Sequence, residues 1–367
     1  MFPTIQEALV GRMPAALMVT VLTGLSVLRA DTTPARKFTI EKLADGIYAV
    51  IRREPPGLAT HANNVFIVNS DDVMVVDTSQ SVALTREVLA ELRKITPKPV
   101  RYVINTHWHD DHYIGDQVYR EAFPDVDIVA HAQTFRDLPV EGARSRAQMI
   151  NGLPSMIAQL KDALGTGKNL TGAEITDEER AAYASDLEWA ERYLKEVPDV
   201  PIITPTIGVS DHLTLRRGAR VIDIRSVGLG HSQADLIVHL PVEKIVIAGD
   251  LVIWPVPLAG LKSSIKGWSA ALERIRALEP SVIVPGHGPV MRDDSHLRMM
   301  GEMFSALSGQ VDAAVSRGET LEEARKTVRL EEWRDKLAAG SQLRAFLFDY
   351  YVSGPGVAAA YREATQK

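Results

Sequence analysis

The segment INTHWHDDHYIGD, residues 104–116, constrains this chain most, because it places three histidines and two aspartates within six positions. It follows the apolar run VRYVI, which predicts a buried strand, and α/β sheets usually carry their chemistry at the carboxyl ends of strands. His107 and His109 are two residues apart, so in an extended segment or a turn their side chains can face one cation. Neutral imidazoles and carboxylates are ligands that Zn²⁺ accepts. The segment therefore predicts a metal site.

The two aspartates of this segment are expected to differ in role. Asp111 and His112 follow the first histidine pair and can turn towards a second cation close by. Asp110 lies between the two pairs, and we expect its side chain to point to solvent or to a local backbone N–H group. The motif thus predicts one ligand aspartate and one aspartate outside the metal site.

Three more residues of ligand type stand beside strand-like runs. His231 lies between a glycine-rich turn and a strand in VGLGHSQADLIVHLP, and Asp250 ends the apolar run KIVIAGD. His287 ends SVIVPGHG, where Gly286 and Gly288 let the backbone approach a metal closely. Together with the first cluster, these residues complete a dinuclear site.

The remaining chain alternates between strand-like and helical patterns. Apolar spacing predicts helices over four segments: 82–95, 143–164, 176–196 and 264–278. After residue 291 the pattern is helical, with a break expected at Gly354–Pro355. Because strands, helix, strand and helix recur in that order in both halves, we expect two stacked βα layers.

The ordered motifs resemble the metallo-β-lactamase superfamily over residues 38–290. The matching segments are VVDTS, INTHWHDDH, GHSQADLIVHLP, IAGD and PGHG. The resemblance implies an α/β fold, a four-layer αβ/βα sandwich, with a helical insertion at about 143–196 and a helical C-terminal extension at 291–367. It says little about the substrate, because one fold hosts many activities.

The resemblance also implies a role for each motif residue. Asp77 in VVDTS would be the buried aspartate that orients the ligand loop. Asp111 would also be catalytic, orienting the attacking water and passing its proton on. Two zinc ions would be bound as follows: one by His107, His109 and His231, the other by Asp111, His112 and His287, with Asp250 bridging them.

Two departures from the subclass B1 lactamases bear on activity. Those enzymes resemble this chain around 230–253 but carry a cysteine where Asp250 stands, and a lysine where this chain has Ile253. The site therefore has only nitrogen and oxygen donors, as in glyoxalase II and the lactonases of the superfamily. Lys262 or an arginine could replace the missing lysine. Di-iron members have glutamate in place of His109, so zinc is the expected metal.

We therefore expect a hydrolase that cleaves an ester, lactone, thioester or amide bond of a small molecule through metal-bound hydroxide. The alternative within the enzyme class is a periplasmic β-lactamase. The alternative from another class is a non-catalytic metal-binding accessory protein. The net charge of −6 and the absence of a basic run argue against a nucleic-acid partner.

The first thirty residues predict a destination outside the cytoplasm. Residues 13–28 carry no charge and follow Arg12, which is typical of a signal peptide over residues 1–30. The expected location is periplasmic or secreted, without a stable membrane span after processing. An uncleaved membrane anchor is the alternative.

Two further expectations concern the surroundings of the site. The apolar stripe of residues 143–196 predicts packing against the sandwich or against a partner in a homodimer, and a lid over the zinc site is the alternative. His61 lies in a loop that borders the active site in the resembling family. We expect it to be a solvated loop histidine rather than a substrate contact.

Overall fold

The structure is a computed structural model that describes residues 37–59, 61–260 and 262–366. The predicted signal peptide at 1–30 lies outside these residues. Within the described ranges, none of the helices combines the length and the apolar character that crossing a membrane requires. The chain forms two β-sheets packed face to face, with helices on their outer sides.

The first sheet follows chain order. Its strands are β1 (Phe38–Ala44), β2 (Ile47–Arg52), β3 (Asn64–Val68), β4 (Val73–Val76), β5 (Val100–Ile104), β6 (Asp127–His131) and β7 (Ile207–Val209). From β1 to β4 neighbouring strands run antiparallel, and from β4 to β7 they run parallel. The carboxyl ends of β4, β5 and β6 therefore meet at one edge, and the histidine-rich motif begins where β5 ends.

The second sheet has the order β12-β11-β10-β9-β8. Its strands are β8 (His212–Arg217), β9 (Arg220–Ser226), β10 (Leu236–Leu240), β11 (Ile245–Ile253) and β12 (Val282–His287). β11 and β12 run parallel, while the other pairs are antiparallel. Asp250 on β11 and His287 at the end of β12 therefore lie on adjacent strands.

Apolar side chains of both sheets meet in one buried layer. Ile67 and Val76 of the first sheet belong to the same cluster as Ile224 and Val238 of the second, and all four are fully buried. Burying one such aliphatic side chain contributes roughly 1.5–3 kcal/mol to folding. This layer fixes the two sheets, and the site-bearing strand ends, relative to each other.

Helices cover both outer faces. They are α1 (Val82–Ile95), α2 (Asp110–Tyr113), α3 (Asp116–Ala122), α4 (Thr134–Asp137), α5 (Ala143–Thr166), α6 (Asp177–Glu196), α7 (Ile265–Arg276), α8 (Ser295–Ser316), α9 (Leu321–Thr327), α10 (Glu331–Ala338), α11 (Gln342–Phe348) and α12 (Gly354–Thr365). Helices α1 and α3 pack on the first sheet, and α7 and α8 pack on the second.

The four-layer sandwich is confirmed. The helix predicted over 82–95 is confirmed as α1, whose first turn is capped by the Ser81 side chain.

The helices α5 and α6 pack on the sandwich at the histidine-rich motif. One apolar cluster joins Trp108 and Tyr113 of the motif to Leu153 of α5 and Trp189 of α6. Two described helices thus contact the sandwich itself, in line with the packing interpretation of residues 143–196. A π-helical turn, Leu138–Gly142, leads into α5.

The expected helix break at Gly354–Pro355 is wrong. The chain passes from α11 through a π-helical turn, Asp349–Ser353, directly into α12. Pro355 lies in the first turn of α12, where its missing N–H group needs no partner in the helix. The proline therefore starts a helical segment instead of ending one.

Candidate metal centre

Asp77 ties the end of β4 to the histidine-rich loop. Its carboxylate accepts hydrogen bonds from Thr106 N at 2.7 Å and Thr106 Oγ1 at 2.8 Å, and lies 2.8 Å from His112 Nδ1. Asp77 has a φ of 54°, in the left-handed region that aspartate tolerates better than most residues. One buried carboxylate thus fixes both the loop and the orientation of an imidazole.

Seven side chains form two groups that share Asp250. The first group consists of His107, His109, His231 and Asp250. His231 Nε2 lies 2.9 Å from His109 Nδ1 and 3.4 Å from Asp250 Oδ2. His107 Nε2 lies 3.8 Å from the same oxygen. Three imidazole nitrogens and one carboxylate oxygen therefore converge on one point.

The second group consists of Asp111, His112, Asp250 and His287. His112 Nε2 and His287 Nε2 each lie 3.2 Å from Asp250 Oδ1. Asp111 Oδ2 lies 3.3 Å from His112 Nε2 and 3.1 Å from His287 Nε2. Asp250 thus directs Oδ2 to the first group and Oδ1 to the second, which is the geometry of a bridging carboxylate.

The second ring nitrogen of four histidines is held by another group. Such contacts fix the ring orientation and so preorganise a metal ligand. His112 Nδ1 faces Asp77, as described above. The other three contacts are His107 Nδ1 with Thr106 Oγ1 at 3.2 Å, His231 Nδ1 with Leu258 O at 3.0 Å, and His287 Nδ1 with His61 O at 3.1 Å.

Charges within the two groups suit cation binding. Burial lowers the pKa of His107 well below its usual value and lowers the pKa of His109 to about 3, so both rings are neutral at pH 7. Burial raises the pKa of Asp250, but His287, His112 and His231 outweigh it and hold that pKa well below its usual value. The first group therefore offers neutral imidazoles beside an ionised carboxylate.

The second group attracts positive charge more strongly. Burial works against protonation of His287, yet Asp250 and Asp111 raise its pKa to about 10. The carboxylates of Asp111, Asp250 and Asp77 likewise raise the pKa of His112 well above its usual value, although burial opposes them. A proton on these rings and a metal ion therefore compete for the same carboxylates.

Unpaired polar atoms test whether metal ions fit these groups. His107 Nε2, His112 Nε2 and Asp250 Oδ1 are buried and have no hydrogen-bond partner among the described residues. Each such atom costs roughly 1–3 kcal/mol. All three belong to the two groups, where a bound cation would supply the missing partner. The nitrogen and oxygen donors thus fit a pair of borderline divalent cations such as Zn²⁺.

Gly286 makes room for the shared carboxylate. A Cβ atom at this position would collide with Asp250 Oδ1 and lie 2.8 Å from the carbonyl carbon of Gly249. Gly286 was expected to let the backbone approach a metal, and the close approach that the structure shows is to a neighbouring strand instead. The group it approaches is Asp250, because β12 and β11 are adjacent parallel strands.

The expectation that Asp110 points to solvent or to a backbone N–H group is wrong. Its residue is 8% exposed, and its carboxylate accepts hydrogen bonds from Tyr113 Oη at 2.7 Å and from Tyr193 Oη. Asp110 belongs to neither ligand group. Asp110 is buried instead of exposed because α6, which comes much later in the chain, covers the motif at this residue.

The expectation of a solvated His61 is also wrong. His61 is 7% exposed, and its Nδ1 lies 3.4 Å from Ser79 Oγ. The preceding loop is drawn inward by Asp186 of α6, whose carboxylate accepts from Leu58 N at 2.9 Å and from Ala59 N at 3.1 Å. The backbone of His61 therefore supports the site through His287.

Asn63 is a residue that the sequence analysis missed. Its Nδ2 donates to Pro285 O at 3.0 Å and Gly288 O at 2.8 Å, and its backbone N donates to Gly286 O at 2.7 Å. It thereby fixes the turn that carries His287. The asparagine just before β3 was the available signal, since asparagine side chains often bond to turn backbones.

Lys262 lies beside the first group. Its Nζ is 5.8 Å from the centre of the Trp108 ring, and that ring packs edge-on against His109 at 4.6 Å. The same Nζ is 2.6 Å from Glu141 Oε2 in the π-helical turn before α5. The lysine side chain is 46% exposed, so it can meet an anionic group at the rim of the site.

Comparisons with known proteins agree with this geometry. The family model of the metallo-beta-lactamase superfamily matches residues 58–287. A linear primary-alkylsulfatase from Pseudomonas sp. is 24% identical over 272 residues, which cover 71% of this chain and 48% of the relative. The chain thus spans about half the length of this curated relative.

Two solved structures are also similar. The crystal structure of VMB-1 at pH 5.5 has 16% sequence identity and a TM-score of 0.51, covering 74% of this chain and 99% of that chain. A metallo-beta-lactamase from Pontibacter korlensis has 18% identity and a TM-score of 0.47, covering 73% and 99%. At such identities the VMB-1 likeness concerns the fold alone. Because the family model matches more than half of the sequence, from Leu58 to His287, the chain belongs to the metallo-β-lactamase superfamily.

Proposed function

We propose that this protein is a dinuclear zinc hydrolase acting on a small molecule. The observation that carries the proposal is the position of Asp250, whose two carboxylate oxygens face two different ligand groups. Two dications held roughly 3.5–4 Å apart repel each other, and a carboxylate between them offsets that repulsion. All seven residues that the sequence analysis named as metal ligands belong to these groups, which supports the proposal.

When bound, zinc ions in such a pair lower the pKa of a water molecule and polarise the bond to be cleaved. The chain contributes the proton transfer. The Asp111 side chain is 14% exposed, against 5% for Asp250, so it is the more accessible of the two carboxylates. We assign it the role of orienting the attacking water, accepting its proton and delivering that proton to the leaving group.

The proposed reaction is hydrolysis of an ester, lactone, thioester or amide bond. A second candidate is hydrolysis of an alkyl sulfate ester, which two observations favour. One relative is named a linear primary-alkylsulfatase, and Lys262 offers a positive charge beside the first group.

A β-lactamase activity is less favoured. Ile253, at the position of the antibiotic-binding lysine in the resembling subclass, is 1% exposed within β11, and its carbonyl accepts a hydrogen bond from His296 Nε2 at 2.8 Å. That position therefore offers no charge to a substrate. Lys262 is the remaining candidate for this role. A non-catalytic accessory protein is the alternative from another class.

The test is a substrate panel assayed with zinc-loaded protein. It comprises nitrocefin, a homoserine lactone, an aryl ester, a glutathione thioester and a medium-chain alkyl sulfate. Turnover of at least one compound that stops on chelation and returns with zinc supports the proposal. Full metal loading without turnover of any compound supports the accessory protein. Failure of the pure protein to bind two zinc ions contradicts the dinuclear site itself.

We also propose export to the periplasm or the medium with removal of about the first 30 residues, from the charge-free run after Arg12. Measuring the intact mass of the protein from its native host tests this. A full-length cytoplasmic species would contradict it. Homodimer formation is a further proposal, and light scattering of the purified protein measures it directly.

A further inference from the structure

Besides its apolar packing, the helix α6 is hydrogen-bonded to the histidine-rich motif through Tyr193. Tyr193 Oη donates a hydrogen bond to Asp110 Oδ2, while Tyr113 Oη donates to the other oxygen at 2.7 Å. Both tyrosines are only 2% exposed. Both oxygens of the Asp110 carboxylate are thus held by hydroxyl groups in a buried environment, where such hydrogen bonds are strong.

The helix α5 contributes to the same network through Arg146. Its Nη2 donates to Tyr113 Oη at 3.0 Å, and its Nη1 donates to Val200 O, beyond the end of α6, at 2.6 Å. Arg146 is 7% exposed, and its guanidinium lies 5.7 Å from the centre of the Tyr113 ring. Both helices of the insertion therefore hold the side of the motif that faces away from the ligand groups.

The element held in this way is short. The helix α2 has four residues, Asp110–Tyr113, and its N-cap residue His109 makes no side-chain capping hydrogen bond. A single helical turn has little stability of its own, because the free energy needed to nucleate a helix exceeds the stabilisation that the hydrogen bonds of one turn provide. Asp111 and His112 lie on this turn, so anything that fixes Asp110 also fixes the direction of these two side chains.

We propose that the insertion positions the second ligand group, through the contact of Tyr193 with Asp110. This inference rests on the proposed function, since it assigns a role towards the second metal ion. Tyr193 and Asp110 are positioning residues: they belong to neither ligand group and act on Asp111 and His112 through α2. The contact reaches the first group less directly, because His231 and Asp250 come from the other half of the sandwich and His107 and His109 precede α2.

The proposal predicts a selective loss of metal affinity. Replacing Tyr193 with phenylalanine removes one hydroxyl group and leaves the ring in its apolar cluster with Trp189. Mutation of groups that orient metal ligands typically lowers metal affinity about 10–100-fold. We expect that loss for the ion of the second group, with the affinity of the first group unchanged.

The experiment titrates zinc into the metal-free full-length protein in the presence of a chelator of known affinity. The variants are Tyr193→Phe and, as the matched control, Tyr183→Phe. Tyr183 is 1% exposed on the same helix, and its hydroxyl only accepts a 3.5 Å hydrogen bond from Leu170 N. Tyr193→Phe should weaken the second ion by about 10–100-fold. Tyr183→Phe should leave both ions as in the wild type.

A second variant provides a test in case Tyr193→Phe does not fold, and it also tests whether Tyr193 and Asp110 act together. Asp110→Asn keeps the size of the side chain, and we expect it to weaken the same ion. In the double variant the two effects should not add, because both substitutions break one contact. If Tyr193→Phe does not fold, the comparison of Asp110→Asn with the wild type decides.

Three results overturn the inference. The first is that folded Tyr193→Phe and Asp110→Asn both hold two ions as tightly as the wild type. The second is an equal weakening of both ions, which indicates general destabilisation. The third is a wild type that binds fewer than two ions, in which case the proposed function fails as well and the failure is traced to it.

Discussion

The two ligand groups share Asp250 but differ in charge and in support. The first group surrounds one oxygen of Asp250 with three imidazoles, while the second adds the carboxylate of Asp111 to two imidazoles. The first is thus built mainly from neutral donors, and the second depends on negative charge. Asp250 and Asp111 raise the pKa of His287 to about 10 against the effect of burial, which reflects the negative charge of the second group.

Their supports differ in part, although Asp77 serves both groups: it holds Thr106, whose hydroxyl lies 3.2 Å from His107 Nδ1 of the first group. His231 of the first group is held by Leu258 O, from the loop after β11. The second group is held by Asp77 and by α6, which contacts it through Asp110 and through the loop that carries His61. If both groups hold metal ions as proposed, occupancy of the second group should depend more on distant packing and should be lost first under perturbation.

The largest expected effect comes from Asp250→Ala. Removing the shared carboxylate should empty or weaken the second group more than the three-histidine group, and activity should fall by orders of magnitude while the fold persists. Asp250→Asn should behave similarly, because the amide keeps the size and loses the charge. Elemental analysis of dialysed protein and circular dichroism measure the outcome. Two tightly bound ions in Asp250→Ala would contradict the bridging role.

The next effect concerns pH and Asp186. Burial raises the pKa of Asp186 to about 7, although the N–H groups of Leu58 and Ala59 oppose it. The folded state therefore favours the protonated acid, and the free energy of unfolding should fall as pH rises from about 4 to about 7, by up to about 4 kcal/mol. Urea unfolding of metal-free protein at several pH values measures this.

Asp186→Asn is the matched variant for that measurement, because its side chain does not titrate. Its free energy of unfolding should vary less over the same pH range than that of the wild type. If the free energy of unfolding changed equally with pH in the wild type and in Asp186→Asn, Asp186 would be ionised throughout the range. The hold of α6 on the loop before His61 would then be independent of pH.

A smaller effect is expected from Asp77→Asn. The amide can no longer accept from both Thr106 and His112 as the carboxylate does, so the affinity of the second group should fall about 10–100-fold. Asp72→Asn is the control, since Asp72 is equally buried but pairs with Arg217, outside both ligand groups. A zinc titration of both variants measures the difference, and equal affinities would remove Asp77 from the support of the second group.

The smallest effect is expected from Lys262→Ala. If Lys262 meets an anionic group beside the first ligand group, its loss should raise KM for anionic substrates about two- to five-fold, as expected for a half-exposed charge. Neutral substrates should be unaffected. Lys266→Ala is the control, because Lys266 pairs with Asp312 on α8. A uniform change for charged and neutral substrates would argue against recognition of charge.

The fold and the two ligand groups follow from local patterns. Apolar runs such as VRYVI and KIVIAGD predicted buried strands, and ligand-type residues beside them converge at one side of the sandwich. Asp250 was expected to end its strand, but β11 continues to Ile253. Helix α1 was predicted at about residues 82–95, since its apolar face is a local signal and Pro97 and Pro99 follow it in the sequence.

The environment of Asp110 could not be predicted in this way. Its partner Tyr193 is 83 positions further along the chain, and the contact depends on how α6 crosses the motif. Helical periodicity shows which face of a helix is buried, but it does not show what that face covers. The same reasoning failed for His61, whose loop is drawn inward by Asp186 on the same helix.

The close approach of Gly286 to Asp250 has a consequence for mutational tolerance. The obstacle at position 286 is the first carbon of any side chain, so alanine, serine and every larger residue meet it alike. In a library that covers all substitutions, this position should accept a single amino acid, whatever the size, charge or polarity of the alternatives. Neighbouring Gly288 is constrained twice, because its φ is 98° and a Cβ atom there would lie 2.6 Å from Trp254 Cβ, so it should tolerate substitution equally poorly.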